Sequence, residues 1–126
     1  MTNDKMKILL VEDDPFLLGM YAAKFELANF KVIIATDGEK AYQAAKKESF
    51  DIILLDVVLP KINGLEVLQK FRAGKENKTT PVVMLTNLSQ KNEVDEALRL
   101  GAVDYLIKAH FMPSEVVEKI KTILKK

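Results

Sequence analysis

The sequence predicts an α/β sandwich: five short strands alternate with five helices, a (βα)5 chain doubly wound around a five-stranded parallel sheet. Three observations carry this prediction. Five apolar runs of five or six residues recur along the chain. All but the last have adjacent rather than strictly alternating apolar residues and are rich in β-branched side chains, as strands covered on both faces require. Between and after the runs, apolar residues repeat at helical spacing, so strand and helix follow one another as right-handed crossovers demand. No repeat, low-complexity tract or linker divides the 126 residues, which read as a single domain over 1–126.

Each element has its own signals. The first run is Met6–Val11, MKILLV. Asp14 then offers an N-cap and Pro15 a preorganised first helical residue, after which Leu18, Tyr21, Ala22, Phe25 and Ala28 share a face. Lys31–Ala35 forms the second run, and Asp37-Gly38 opens a helix carrying Ala41, Ala44 and Ala45. Asp51–Leu55 is the third; Gly64 opens the next helix, with Leu68 and Phe71 inward and Gly74 beyond its end. The segment Lys75–Thr80, KENKTT, reads as a plain polar loop. Pro81–Leu85 is the fourth run, followed by a helix capped by Ser89, with Val94, Ala97 and Leu98 inward and Gly101 as its stop. Val103–Ile107 is the fifth. Pro113 starts the last helix, with Val116, Val117, Ile120, Ile123 and Leu124 on one side. Glu115 and Glu118 stand early in it and Lys125 and Lys126 late, which suits the helix dipole.

Composition removes several functions. Nineteen basic against eighteen acidic residues leave +1, too little field to steer the chain onto nucleic acid or an anionic membrane. The absence of cysteine excludes disulfides and thiolate chemistry, and the single histidine, His110, excludes a multi-histidine metal cluster. No apolar run approaches the roughly 20 residues of a membrane span. No long apolar stretch follows the N-terminal MTNDKMK, so a cytoplasmic protein without a signal peptide is expected.

Ligands of open parallel sheets bind beyond the carboxyl ends of the strands. Glu12, Asp13 and Asp14 follow the first run, Asp56 the third, Thr86 the fourth and Lys108 the fifth. If the strands lie in the order 2-1-3-4-5, Glu12, Asp13 and Asp56 crowd into one cleft with Thr86 and Lys108 on its far wall. Three carboxylates so close need a cation, and oxygen donors open to water suit Mg²⁺ or Mn²⁺. The acidic first loop, VEDDP, lacks the glycines of a dinucleotide or flavin site. Asp56 is itself a possible nucleophile, since carboxylates form aspartyl phosphates. Taken singly, these residues have ordinary readings: Asp14 a cap, Thr86 a strand end, Lys108 a solvated lysine, Tyr105 a half-buried sheet residue, His110 a surface loop residue. Their conjunction, each after a different strand, points to a site.

At these residues the sequence resembles a bacterial response-regulator receiver domain. The motifs are ILLVEDDP, DIILLDVVLPKINGLEVL, PVVMLTN and GAVDYLIKA, with Asp56, Pro60 and Gly64 at the spacing DxxxPxxxG. The resemblance covers essentially the whole chain and implies the 2-1-3-4-5, flavodoxin-like order. It implies that Asp56 accepts a phosphoryl group from a sensor histidine kinase or phosphotransfer protein. Asp13, Asp56 and the Val58 backbone carbonyl would ligate the metal, with Glu12 acting indirectly. Lys108 and Thr86 would meet phosphoryl oxygens, and Tyr105 would turn inward as Thr86 moves. The output would be read on the face of the fourth helix, fifth strand and fifth helix, by a homodimer or a downstream protein, with no direct nucleic-acid or membrane contact. Such a chain is a phosphoacceptor that assists its own transfer and dephosphorylation, not an enzyme.

Three positions depart from the family pattern. Ala109 stands where proline, with a cis bond, is usual; a non-proline cis bond costs about 3 kcal/mol, so trans is expected. Asn87 stands where a small residue is usual, and would crowd the phosphoryl site or lend it a hydrogen bond. Val58, often polar or long in the family, cannot orient a water. Two rivals remain: a degenerate receiver acting as a phosphorylation-independent interaction module, and a flavodoxin-like cofactor enzyme, which the acidic loop disfavours. The chain reads as a stand-alone receiver or a domain cut from a longer protein.

Overall fold

The computed structural model describes residues 5–125. The N-terminal MTND and Lys126, expected late in the last helix, lie outside these residues. Five strands, β1 (Met6–Val11), β2 (Phe30–Ala35), β3 (Ile52–Leu55), β4 (Val82–Thr86) and β5 (Asp104–Ile107), form one parallel sheet in the order β2-β1-β3-β4-β5. The helices are α1 (Pro15–Leu27), α2 (Gly38–Lys47), α3 (Gly64–Ala73), α4 (Lys91–Arg99) and α5 (Pro113–Leu124). Among the described residues no helix is long and apolar enough to cross a membrane.

Side chains alternate across a strand, so each apolar run feeds two cores. Ile8, Leu10, Ile52, Leu54, Val83 and Leu85 pack with Leu18, Tyr21 and Phe25 of α1 and Val116 and Ile120 of α5. Leu9, Val11, Ile53, Leu55, Val82 and Met84 pack with Ala41 of α2, Val67, Leu68 and Phe71 of α3 and Ala97 of α4. Each large side chain fully buried in this way contributes roughly 1.5–3 kcal/mol. The Phe25 and Phe30 rings meet edge to face at 5.1 Å, closing the corner between α1 and β2.

Asp14 caps α1 as its sequence suggests, accepting the Phe16 and Leu17 amides at 2.9 and 3.2 Å. Strand bounds shift by one residue: Asp51, Pro81 and Val103 precede β3, β4 and β5, Phe30 joins β2, and Thr86 joins β4.

Three expectations are corrected. Ser89 does not cap α4; Gln90 does, because Glu93 reaches back to the Gln90 amide at 3.3 Å. Leu98 is not inward but 45% exposed, because Ala97 occupies the centre of the buried stripe and the next residue turns about 100° away. The Lys75–Thr80 segment is more than a polar loop, since Asn77 and Thr80 are buried. Asn77 accepts the Phe50 amide at 2.9 Å and donates to the carbonyls of Ala45 and Glu48 at 2.8 and 3.0 Å. The Thr80 hydroxyl lies 3.0 Å from Asn77 Oδ1 and 3.2 Å from the Phe50 carbonyl. Arg72 donates to the carbonyls of Thr80 and Gly101, each at 2.8 Å. Gly101 ends α4's connection with φ at 107°, a conformation side chains resist. The loop passes beneath the α2–β3 connection, and the buried backbone groups there need partners that only its side chains can reach.

Candidate functional site

Sheet register builds the site. Val11 pairs with Leu55 across β1 and β3, so Glu12 and Asp56 leave the sheet side by side. Their backbones are still held by ladder bonds, Asp56 N–H to the Val11 carbonyl at 3.2 Å and Glu12 N–H to the Ala35 carbonyl at 3.1 Å. Thr86 pairs with Ile107 across β4 and β5, which sets Lys108 just beyond Thr86. The resulting open cleft, of about 400 Å³, is lined by Glu12, Asp13, Asp56, Val58, Thr86 and Lys108, among others. The floor depends on Gly64. Its amide donates to the Val57 carbonyl at 2.8 Å, and a Cβ there would overlap the Asp56 carbonyl oxygen. Only glycine lets the start of α3 approach the end of β3 so closely.

Lys108 is not a solvated lysine. Its side chain is 11% exposed and its Nζ lies 2.6 Å from both Glu12 Oε1 and Asp56 Oδ2. The second Glu12 oxygen accepts the Asp14 amide at 3.0 Å, and the second Asp56 oxygen accepts the Val58 amide at 3.1 Å. Glu12 and Asp56 are buried, Asp13 is exposed, and an oxygen from each of the three carboxylates lies within 4.8 Å of the others. One ammonium among three carboxylates leaves an excess of negative charge. Burial raises the Glu12 carboxyl above its usual range, although Lys108 and the Asp14 amide pull it down. Burial opposes the Lys108 ammonium, but its hydrogen bonds to Asp56 and Glu12 win, so its pKa lies above the ordinary value. Three hard oxygen donors, one of them open to water, fit Mg²⁺ or Mn²⁺ bound with several waters retained.

A second chain of bonds leaves the cleft. The Leu88 amide donates to Thr86 Oγ1 at 3.3 Å, and the Tyr105 hydroxyl donates to the Leu88 carbonyl at 2.8 Å. The Tyr105 ring is half-buried against the second core. Burial, with Glu93 and Asp56 adding to it, pushes its phenol up to about 12.

The structure thus brings Glu12, Asp13, Asp56, Thr86 and Lys108 together and lines the cleft with Val58. Asp14 caps α1, and His110 is exposed in the 3₁₀ turn Lys108–His110. The Lys108–Ala109 bond is trans, as expected; no peptide bond among the described residues is cis. Sequence reasoning missed the partner of Asn87, whose side-chain oxygen accepts the Ala109 amide at 3.0 Å. The available signal was the pair itself: an acceptor after Thr86 and a residue after Lys108 that keeps its N–H.

Residues 8–121 match the family model described as response regulator receiver domain. The Bacillus subtilis alkaline phosphatase synthesis transcriptional regulatory protein PhoP is 38% identical over 120 residues, 95% of this chain and 49% of its own length. The Staphylococcus aureus transcriptional regulatory protein SrrA is 34% identical over 95% of this chain and 48% of its own. The chain therefore spans about half the length of the curated relatives it matches. Among solved structures, a CheY-like receiver domain protein of Methanospirillum hungatei superposes with a TM-score of 0.90 at 27% identity, over 97% of this chain and 95% of that one. The receiver domain of the Pseudomonas aeruginosa sensor histidine kinase PA1611, solved with a magnesium ion coordinated in its active-site cleft, gives 0.88 at 27% identity, over 98% and 100%.

Proposed function

Since the chain belongs to the response-regulator receiver domains of two-component systems, we propose that it is a phosphorylation-dependent switch whose phosphoacceptor is Asp56. The observation that carries this reading is Lys108, held 2.6 Å from Asp56 and from Glu12 at the rim of an acidic cleft. Two buried carboxylates and one exposed one are more negative charge than a single lysine balances, and Asp13, Asp56 and the Val58 carbonyl are assigned to hold Mg²⁺, with Glu12 acting through water. A metal bound there would neutralise carboxylate and phosphoryl charge.

An Asp56 carboxylate oxygen attacks the phosphorus of a kinase or phosphotransfer-protein phosphohistidine. The new O–P bond forms as the P–N bond breaks, and the electron pair leaves with the imidazole. Lys108 starts in contact with the nucleophile and pairs with a phosphoryl oxygen once the acyl phosphate has formed. Thr86 accepts the Leu88 amide through its oxygen, which leaves its hydroxyl proton to donate to another phosphoryl oxygen. The chain's part is positioning and charge neutralisation; it is a phosphoacceptor, not an enzyme with a separate substrate. Large apolar side chains sit at the same end of the sheet: Phe16 is 73% exposed, Val58 57% and Met112 65%. An exposed apolar rim around a charged cleft suits a protein donor.

The switch runs through Leu88. Drawing Thr86 toward a phosphoryl group pulls on the Leu88 amide, and the Leu88 carbonyl holds the Tyr105 hydroxyl. Tyr105 lies on β5, so the change surfaces on the α4–β5–α5 face. There Leu98 and Val103 are 45% and 51% exposed, and Lys91, Asp95, Arg99 and Lys119 offer a polar rim for a homodimer or a downstream protein. A hydrogen bond to a charged group is worth about 1.5–3 kcal/mol, enough to shift a two-state population.

The test is intact mass after acetyl phosphate, with Mg²⁺ and with EDTA, alongside an absorbance scan for flavin. A single phosphoryl adduct that needs the metal and vanishes in Asp56→Asn is the expected result. No adduct on the folded protein would favour a phosphorylation-independent interaction module.

A further inference from the structure

Lys108, Ala109 and His110 form a single 3₁₀ turn directly after β5. The first amides of any such turn have no partner inside it, and Ile107, which precedes it, supplies no side-chain cap. The partner of the Ala109 amide comes from the loop after β4: Asn87 Oδ1 accepts it at 3.0 Å across 22 residues. Asn87 immediately follows Thr86 and Ala109 immediately follows Lys108. The bond therefore ties the end of β4, which carries the cleft's hydroxyl, to the turn that carries its ammonium. It needs an acceptor at 87 and an N–H at 109: glycine or alanine at 87 has no acceptor, and proline at 109 has no N–H.

We propose that Asn87 is a positioning residue for phosphoryl transfer, fixing the Lys108 turn through the Ala109 amide so that the ammonium stays within reach of Asp56. The inference rests on the reading of Asp56 as phosphoacceptor. Lys108 must pass from a carboxylate contact to a phosphoryl contact within one turnover. A long flexible side chain does this reproducibly only from a fixed backbone. Asn87 makes no hydrogen bond to Glu12, Asp13 or Asp56 among the described residues, so its effect travels through the turn and leaves the carboxylates' grip on a metal alone.

The experiment compares wild type, Asn87→Ala, Ala109→Pro and the double variant in three readouts: hydrogen exchange at the residue-109 amide where one exists, Mg²⁺ affinity, and the rate of acyl-phosphate formation from acetyl phosphate. In wild type the Ala109 amide should be protected. Asn87→Ala should expose it and slow labelling about fivefold, the factor one ordinary hydrogen bond is worth, with Mg²⁺ affinity unchanged. Ala109→Pro should slow labelling similarly, and the double variant should be no slower than either single one, since both remove the same bond. Labelling of Asn87→Ala at the wild-type rate with the amide exposed overturns the inference and spares Asp56 as phosphoacceptor. So does an amide unprotected in wild type, or penalties that multiply in the double variant. Wild type that takes no label at all overturns both.

Discussion

Two partly buried polar clusters occupy opposite ends of the sheet. At the amino ends of β3 and β4, Asn77, Thr80 and Arg72 serve backbone carbonyls and amides of four separate segments. Here each donor meets an acceptor, and Arg72, the one charge, spends itself on carbonyl dipoles. At the carboxyl ends, Glu12, Asp13 and Asp56 face a single lysine. Among the described residues no buried side-chain nitrogen or oxygen lacks a partner, so hydrogen-bond satisfaction does not separate the two clusters. Charge does: one holds a lone guanidinium satisfied by carbonyl dipoles, the other sets three carboxylates against one ammonium. Burial of polar groups alone would have marked both as sites.

Substitutions in the two clusters should therefore have opposite signatures. The largest effect is expected of Asp56→Asn: complete loss of labelling by acetyl phosphate, with a thermal midpoint in EDTA that is not lowered, since Lys108 keeps Glu12 and one clustered negative charge is gone. A destabilised Asp56→Asn would make the cleft structural as well. The converse is Asn77→Ala, which orphans the Phe50 amide and the Ala45 and Glu48 carbonyls. Urea unfolding should show a loss of about 3 kcal/mol, with labelling of the folded fraction unchanged.

Within the acidic loop the contrast sharpens. Asp13→Asn should weaken Mg²⁺ binding in a fluorescence or calorimetric titration, more than Glu12→Gln does. Asp14→Ala should leave binding intact and cost about 1 kcal/mol, because it removes only the cap on α1. The smallest effect concerns Tyr105. Its folded pKa is raised from 10.0 to about 12, so the stability it contributes as a neutral phenol is present below pH 10 and is lost as pH rises toward 12. An ultraviolet titration should show a late tyrosine step that Tyr105→Phe removes.

Much of the fold was legible because its signals are local. Adjacent β-branched residues mark strands covered on both sides, and Asp14-Pro15, Gly64 and Pro113 mark helix starts within one turn of themselves. One error was local too. By side-chain preference Ser89 is the natural cap of α4, and the reach of Glu93 back to the Gln90 amide starts the helix one residue later. The site residues were legible one by one, since each follows a strand and the spacing from Asp56 through Pro60 to Gly64 is specific.

What the sequence by itself determined is the alternation of elements and the chemistry parked at the end of each strand, both set by neighbours along the chain. Tertiary structure alone decided which of those chemistries meet. The β1–β3 and β4–β5 registers place Glu12 beside Asp56 and Lys108 beyond Thr86. The Lys108–Asp56 contact spans 52 residues, the Asn87–Ala109 bond 22 and the Asn77–Ala45 bond 32. Two of these three bonds end on a backbone group, which every residue carries and which no side-chain pattern announces. Their partners were chosen by where the folded chain left a buried amide or carbonyl needing one.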